Sequence, residues 1–209
     1  MTPKNYQKEL EAILRRQEGK RPRLLLHSCC GPCSSSVLEY LTKYFDVTVL
    51  WYNPNLYPRE EFEKRLDTLK ELLEKSGLGE TVALRTEDWR SAEYTERVRG
   101  LENEPEGGKR CEACFRLRLA ETARIAAREG FDWFCTTLTV SRFKNAALIN
   151  RIGEETAELY HAAWLPSDFK KHGGEERSQV LSRQYGLYRQ NYCGCEFSLR
   201  SRHETPAAE

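Results

Sequence analysis

Strands and helices alternate along this chain, and the alternation predicts an α/β fold: a three-layer α/β/α sandwich with a mainly parallel sheet. Two further observations support it. The 209 residues, 39% hydrophobic and 31% charged, suit one globular domain able to bury a core. The apolar runs are short, as in buried strands, and the segments between them carry helical spacing. Residues 1–200 are expected to form a single α/β domain, and 201–209, with the ending RHETPAAE, a disordered tail.

The elements follow in order. NYQKELEAILRRQEG spaces Tyr6, Leu10, Ile13 and Leu14 on one helical face, and RPRLLLHS is the first strand. The next helix turns Val37, Leu38, Leu41 and Phe45 inward. DVTVLWYNP is a second strand, ended by Asn53-Pro54. Pro58 opens a helix in which Phe62, Leu66, Leu69 and Leu73 share a face; Glu60 and Glu61 sit in its first turn, where the helix dipole favours them, and Gly77 can close it. TVALRTED is a third strand and NEPEGGKR a loop. CEACFRLRLAETARIAAREG is a helix with Phe115, Leu119, Ala123 and Ala126 inward and Gly130 at its end. FDWFCTTLTV is a fourth strand, 145–160 a helix, AAWLPSD a short fifth strand, and 175–190 a polar helix that ends at NYCGC.

Bulk properties narrow the function. A net charge of +1 does not suggest wholesale nucleic-acid binding, although a balanced total leaves room for a local basic patch. No apolar run approaches the ~20 residues of a membrane span. MTPKNYQKEL has no apolar signal core, so the expected location is the cytoplasm. There, eight cysteines read as ligands or redox groups rather than structural disulfides.

The cysteines are grouped. In parallel α/β sheets the site lies beyond the C-terminal ends of the strands, and LLLHSCCGPCSSS puts Cys29, Cys30 and Cys33 at such an end. Cys111 and Cys114 form C-x-x-C at a helix start, where both sulfurs lie on one face and backbone N–H groups favour thiolate. With Cys29 and Cys30 they supply four thiolates, enough for an iron–sulfur cluster or a zinc ion. Adjacent cysteines suit a single tetrahedral zinc poorly if their side chains diverge; a cluster has separated corners. Cys193 and Cys195 form C-G-C, a pair able to close a strained, labile disulfide or to bind a second metal. Other residues carry plainer readings. Cys135, inside a strand, is a core hydrophobe. His27 is a structural hydrogen-bonder before it is a ligand. Arg116, Arg118, Arg124 and Arg128 are a solvated helix face first and an RNA contact second. Tyr185, Tyr188 and Tyr192 are as suited to an amphipathic helix core as to base stacking.

Together HSCCGPCSS, YNPNLYP, CEACFRLRL and QNYCGCEFS, spread from Leu24 to Ser198, resemble the QueH-type epoxyqueuosine reductases, a cobalamin-independent family. The resemblance implies an adenine-nucleotide alpha-hydrolase-like fold and a catalytic domain acting in the last step of tRNA queuosine synthesis. There the epoxide of epoxyqueuosine, at the anticodon wobble position, is reduced to the alkene of queuosine. It also implies that Cys29, Cys30, Cys111 and Cys114 ligate a [4Fe-4S] cluster and that Cys193 and Cys195 are a redox-active pair. Cys33 is implied as a candidate ligand of a second metal, an additional iron ion. No G-x-G-x-x-G fingerprint for a nicotinamide or flavin occurs, so electrons are expected from an external carrier.

Two other functions fit parts of the pattern. A tRNA sulfur-transferase on the same fold would use ATP and a persulfide-carrying cysteine. Fold relatives bind ATP with a glycine- and serine-rich loop after the first strand; here Cys29 and Cys30 replace its small residues, which argues by analogy against ATP. A non-enzymatic zinc–thiolate module that binds RNA would be colourless, whereas an iron–sulfur protein is brown.

Overall fold

A computed structural model describes residues 4–204. Its centre is a four-stranded, all-parallel sheet in the order β3-β2-β1-β4. The strands are β1 Arg23–His27, β2 Asp46–Trp51, β3 Ala83–Thr86 and β4 Trp133–Thr136. Leu24, Leu25 and Leu26 in the central β1 are fully buried, as a strand covered on both faces requires. Edge strand β3 is half exposed and presents Arg85, which pairs with Glu87 and Glu129; charge at this edge opposes pairing with another chain.

Helices cover both faces. Helix α1 spans Tyr6–Arg16, α2 Gly31–Leu41 and α3 Arg59–Lys75; α4 spans Ser91–Arg97 and α5 Lys109–Glu129. Helix α6 spans Ala146–Tyr160, α7 Gly174–Gln184 and α8 Glu196–Glu204. Helices α2, α3 and α7 pack together, while α5 packs against α6, β1 and β4. The three-layer α/β/α arrangement with a parallel sheet is therefore present. The chain steps from β1 to β2 to β3 in one direction, then returns to place β4 on the other side of β1. The topology thus switches at the C-terminal ends of β1 and β4, the place where such sheets open a ligand crevice.

The structure departs from the sequence expectations in five places. FDWFCTTLTV is a strand only over Trp133–Thr136, and Thr137–Val140 turn into a short 3-10 helix capped by the Thr136 hydroxyl. AAWLPSD makes one bridge, Phe134 to Trp164, rather than a strand, because the next ladder donor, the Ser167 N–H, goes to the Asn150 side-chain oxygen instead. The polar helix stops at Gln184, not Gln190: Gly186 takes left-handed backbone, and the Leu187 N–H turns back to the Ser182 carbonyl. Tyr185, Tyr188 and Tyr192 therefore follow the helix in irregular chain. Helix α4 arises in a stretch too short for a periodic signal. Helix α8 continues to Glu204, into the stretch expected to be disordered; residues 205–209 lie outside the described residues.

Candidate metal and redox site

The turn after β1 delivers the first cysteines. Cys30 is the N-cap of α2 and holds extended backbone, and its sulfur accepts from the Cys33 N–H at 3.5 Å. A sulfur occupies the place that Ser or Asp takes at ordinary caps. Cys29 Sγ lies 3.9 Å from Cys30 Sγ, and the sulfurs of Cys29, Cys30 and Cys33 all fall within 4.8 Å of one another. The adjacent side chains converge rather than diverge, which corrects the expectation drawn from their adjacency. Two other groups touch this triad: the Thr137 hydroxyl donates to Cys29 at 3.4 Å, and the Gln190 amide donates to Cys30 at 3.1 Å.

The triad shares protons. Cys29 is held well below the usual thiol range because the Cys30 and Cys33 thiols donate to it, with help from the Lys144 charge and the Thr137 hydroxyl. Cys30 is pushed up to about 12, chiefly by that same bond to Cys29, and Cys33 is raised for the same reason.

Cys111, Cys114, Cys193 and Cys195 form a second group. Cys111, near the start of α5, accepts from the Gly107 N–H at 3.2 Å. Cys114 and Cys195 are buried in one small cluster with Tyr94 and Val98. Burial pushes Cys114 up to about 12, against the opposing pull of the Arg118 charge, and raises Cys111 and Cys195 as well. Tyr94 packs in this cluster, and burial and the neighbouring Cys114 and Cys195 sulfurs raise its pKa. All eight cysteines are free thiols, and Cys135 is fully buried in the main core, as its strand position suggested.

The C-G-C loop is brought to the strand ends by α3. Arg65, 2% exposed, donates to the carbonyls of Tyr192 at 3.4 Å and Cys193 at 3.1 Å, and its Nε holds Glu61 at 2.7 Å. The Tyr57 N–H donates to the Gly194 carbonyl at 2.8 Å. Gly194 has φ 122°, and a Cβ there would lie 2.4 Å from the Leu56 side chain and 2.8 Å from Arg65. Only glycine fits that backbone and that approach.

Two cations join the cysteine groups. Arg118 is 3% exposed, so it belongs to the core of the site and not to a solvated helix face. Among the described residues neither Arg118 nor Lys144 has a carboxylate partner. Sulfurs are the groups that raise their pKa values: Cys114, Cys193 and Cys29 act on Arg118, and Cys193, Cys29 and Cys33 on Lys144. Burial works against both charges, yet the sulfurs hold both groups charged. Of the other basic residues on α5, Arg116, Arg124 and Arg128 do sit outside, paired with Glu155, Glu121 and Glu129.

His27, fully buried, plays the structural part. Its Nδ1 lies 2.8 Å from the Thr136 hydroxyl and its Nε2 3.1 Å from the Tyr52 carbonyl. A carbonyl only accepts, so Nε2 carries the proton. Burial, and then the Arg118 charge, lower its pKa to about 3, and the ring is neutral.

These groups border an open cleft of about 1160 Å³ at the β1–β4 switch point. Cys29, Cys33 and Cys193 line it with Arg118, Lys144 and Tyr192. The side-chain oxygens of Asn53, Asn55 and Gln190, also on its walls, lack hydrogen-bond partners. A ligand with N–H or O–H donors would complete them.

The sulfur spacing suits metal. A tetrahedral ion with metal–sulfur bonds of ~2.3 Å separates its sulfurs by about 3.8 Å, close to the Cys29–Cys30 distance of 3.9 Å. The triad can therefore hold a metal ion with a fourth position open. Sequence reasoning singled out all seven of these cysteines but missed Arg65, Arg118, Lys144 and Tyr94. Arg118 sits four residues after Cys114, one helical turn along the same face, and that spacing was the available signal.

Comparison with known proteins agrees with this site. Residues 24–201 match the family model described as "Epoxyqueuosine reductase QueH". A protein of that name from Streptococcus pyogenes is 40% identical over 200 residues, covering 94% of this chain and 78% of its own. Its namesake from Staphylococcus epidermidis is 40% identical over 200 residues, covering 93% and 84%. One from Thermotoga maritima is 36% identical over 191 residues, covering 88% of this chain and 94% of its own. A match over nearly all the described residues, at this identity, shows that the chain belongs to the epoxyqueuosine reductase QueH family of oxidoreductases.

Proposed function

We propose that this protein reduces the epoxide of epoxyqueuosine, carried at the wobble position of a tRNA anticodon, to the alkene of queuosine. In this reading Cys29, Cys30, Cys111 and Cys114 hold a [4Fe-4S] cluster, Cys193 and Cys195 are the redox pair, and Cys33 is available to an additional iron. The observation that supports the reading is a cleft lined by Cys29, Cys33 and Cys193, drawn from both cysteine groups, with the Arg118 and Lys144 cations on the same walls. Cys29 and Cys30 stand 3.9 Å apart, the spacing of two ligands on one ion, so separate cluster corners would require their side chains to move apart. Such a cluster would supply single electrons, and the additional iron beside Cys33 would supply a Lewis acid.

The chain's own thiols balance the reaction. Epoxide plus two thiols gives alkene, disulfide and water: the Cys193 and Cys195 sulfurs lose two electrons and two protons, and the epoxide oxygen leaves with both protons. An external electron carrier then returns two electrons and two protons to the pair. Arg118 and Lys144 stabilise the thiolate forms between these states. Asn53, Asn55 and Gln190 offer acceptors to the donors of the modified base.

The test is anaerobic incubation of the reconstituted protein, a reductant and tRNA bearing epoxyqueuosine, followed by nucleoside mass analysis. Queuosine is expected from the wild type and none from Cys193→Ser or Cys195→Ser. Thiol trapping in single turnover should show two thiols lost per product. If trapping shows no change and each serine variant loses one iron per chain, the pair ligates metal and the disulfide role fails.

A further inference from the structure

Phe143 is 79% exposed, more than any other large hydrophobic side chain among the described residues, and it stands on the wall of the cleft. A single exposed apolar residue ordinarily needs no explanation. This one is held out by its backbone. Its N–H donates to the Ser141 hydroxyl at 3.3 Å, and the next N–H, of Lys144, donates to the Ser141 carbonyl at 3.1 Å. Asn145 then caps α6, so the turn is fastened to a helix end. The ring lies 5.1 Å from the Arg142 guanidinium, which itself reaches Glu175 at 3.7 Å. One residue onward, Lys144 lines the same cleft as Cys29, Cys33 and Cys193, so the turn joins the cysteine groups to the outer rim.

The rim is basic. Arg189 and Arg202 border the cleft, and neither forms an ion pair among the described residues. With Arg65, Arg118 and Lys144 they outweigh the two carboxylates on its walls, Glu106 and Glu175, although the whole chain is nearly neutral. Free cations beside a rigid, exposed aromatic ring fit single-stranded nucleic acid, in which phosphates meet cations and an unstacked base meets the ring.

We infer that Phe143 is the stacking platform for a loop base next to the modified nucleotide, holding the RNA strand while the modified base enters the cleft. The inference rests on the tRNA reading above and deepens it by naming a recognition residue. Arg189 and Arg202 neutralise the flanking phosphates. The modified base goes inward toward the cysteines, and its neighbour stays at the rim on Phe143.

The test uses the anaerobic holoenzyme and anticodon stem–loop RNAs bearing epoxyqueuosine, with either the normal neighbouring bases or an abasic site on one side of the modified nucleotide. Binding and reduction are read separately. Phe143→Ala should weaken binding between about fivefold and about a hundredfold, the range of base–aromatic stacking, without changing the salt slope. Phe143→Trp should restore it. Arg189→Ala and Arg202→Ala should each lower the salt slope by about one unit. One of the two abasic RNAs should bind the wild type as weakly as the normal RNA binds Phe143→Ala, and Phe143→Ala should lose nothing more on that RNA. Equal binding of the normal RNA by wild type and Phe143→Ala overturns the inference, as do losses that multiply on both abasic RNAs. Absence of reduction by the wild-type holoenzyme instead counts against the reductase reading, and the binding arms still decide the stacking.

Discussion

The Arg65 guanidinium donates to the backbone carbonyl of Cys193 at 3.1 Å, so a residue on α3 sets the place of a loop 128 positions later in the chain. That bond is one side of a buried pair: Arg65 is 2% and Glu61 9% exposed, and the Tyr188 hydroxyl closes on Glu61 from the other side. Arg65→Met would strand the Glu61 carboxylate, a loss of about 3–5 kcal/mol. In a chain of this size the melting temperature should fall by roughly 6–20 °C. The double variant Glu61→Gln, Arg65→Met should recover part of the loss. A thermal shift under about 3 °C for Arg65→Met would mean that the pair does not hold the loop.

Arg118 should tune metal uptake through pH. Its charge opposes the burial that raises Cys114 and favours the thiolate forms. Metal binds thiolate, so uptake falls as pH falls. Replacing Arg118 with Leu makes the thiols harder to ionise and should move the uptake midpoint to higher pH by about one unit or more. Cobalt titration of the metal-free protein, followed by the thiolate-to-metal absorption, measures the midpoint. An unchanged midpoint would show that the sulfurs do not sense this charge.

His27 should make folding stability acid-sensitive. Its pKa lies near 3 in the folded protein and near 6.5 in an unfolded chain. Above pH 6.5 both states are neutral and the residue contributes no slope. Below pH 6.5 the unfolded state binds the extra proton, so stability falls with pH until the folded ring titrates near 3. The metal-free protein should lose roughly 2 kcal/mol from this group between about pH 7.5 and 5. Denaturant unfolding of wild type and His27→Gln at both pH values should show a slope about that much smaller in the variant. Equal slopes would refute the assignment.

Much of this was legible in the sequence, for physical reasons. Strand β1 and helices α2, α3 and α5 announce themselves because their apolar periods are complete; Leu119 and Ala123 point inward as spaced. The cysteines are legible because thiols in such spacings have few other uses. What was hidden depends on tertiary approach. Only its place one turn after Cys114 sets Arg118 apart from Arg116 and Arg124, which are solvated on the same helix. Lys144 and Arg65 acquire meaning only when the β4 turn and α3 meet the C-G-C loop. The convergence of Cys29 and Cys30 depends on the backbone angles at the helix cap, which composition does not reveal.

The central claim is that Cys29, Cys30, Cys111 and Cys114 hold one cluster in the cleft of a reductase. Iron and acid-labile sulfide per chain, measured after anaerobic purification of the wild type, Cys111→Ala and Cys114→Ala, test it most directly. The account predicts about four irons and about four sulfides in the brown wild-type protein, and loss of most of the iron in each variant. Full iron content in both variants would contradict the ligand set.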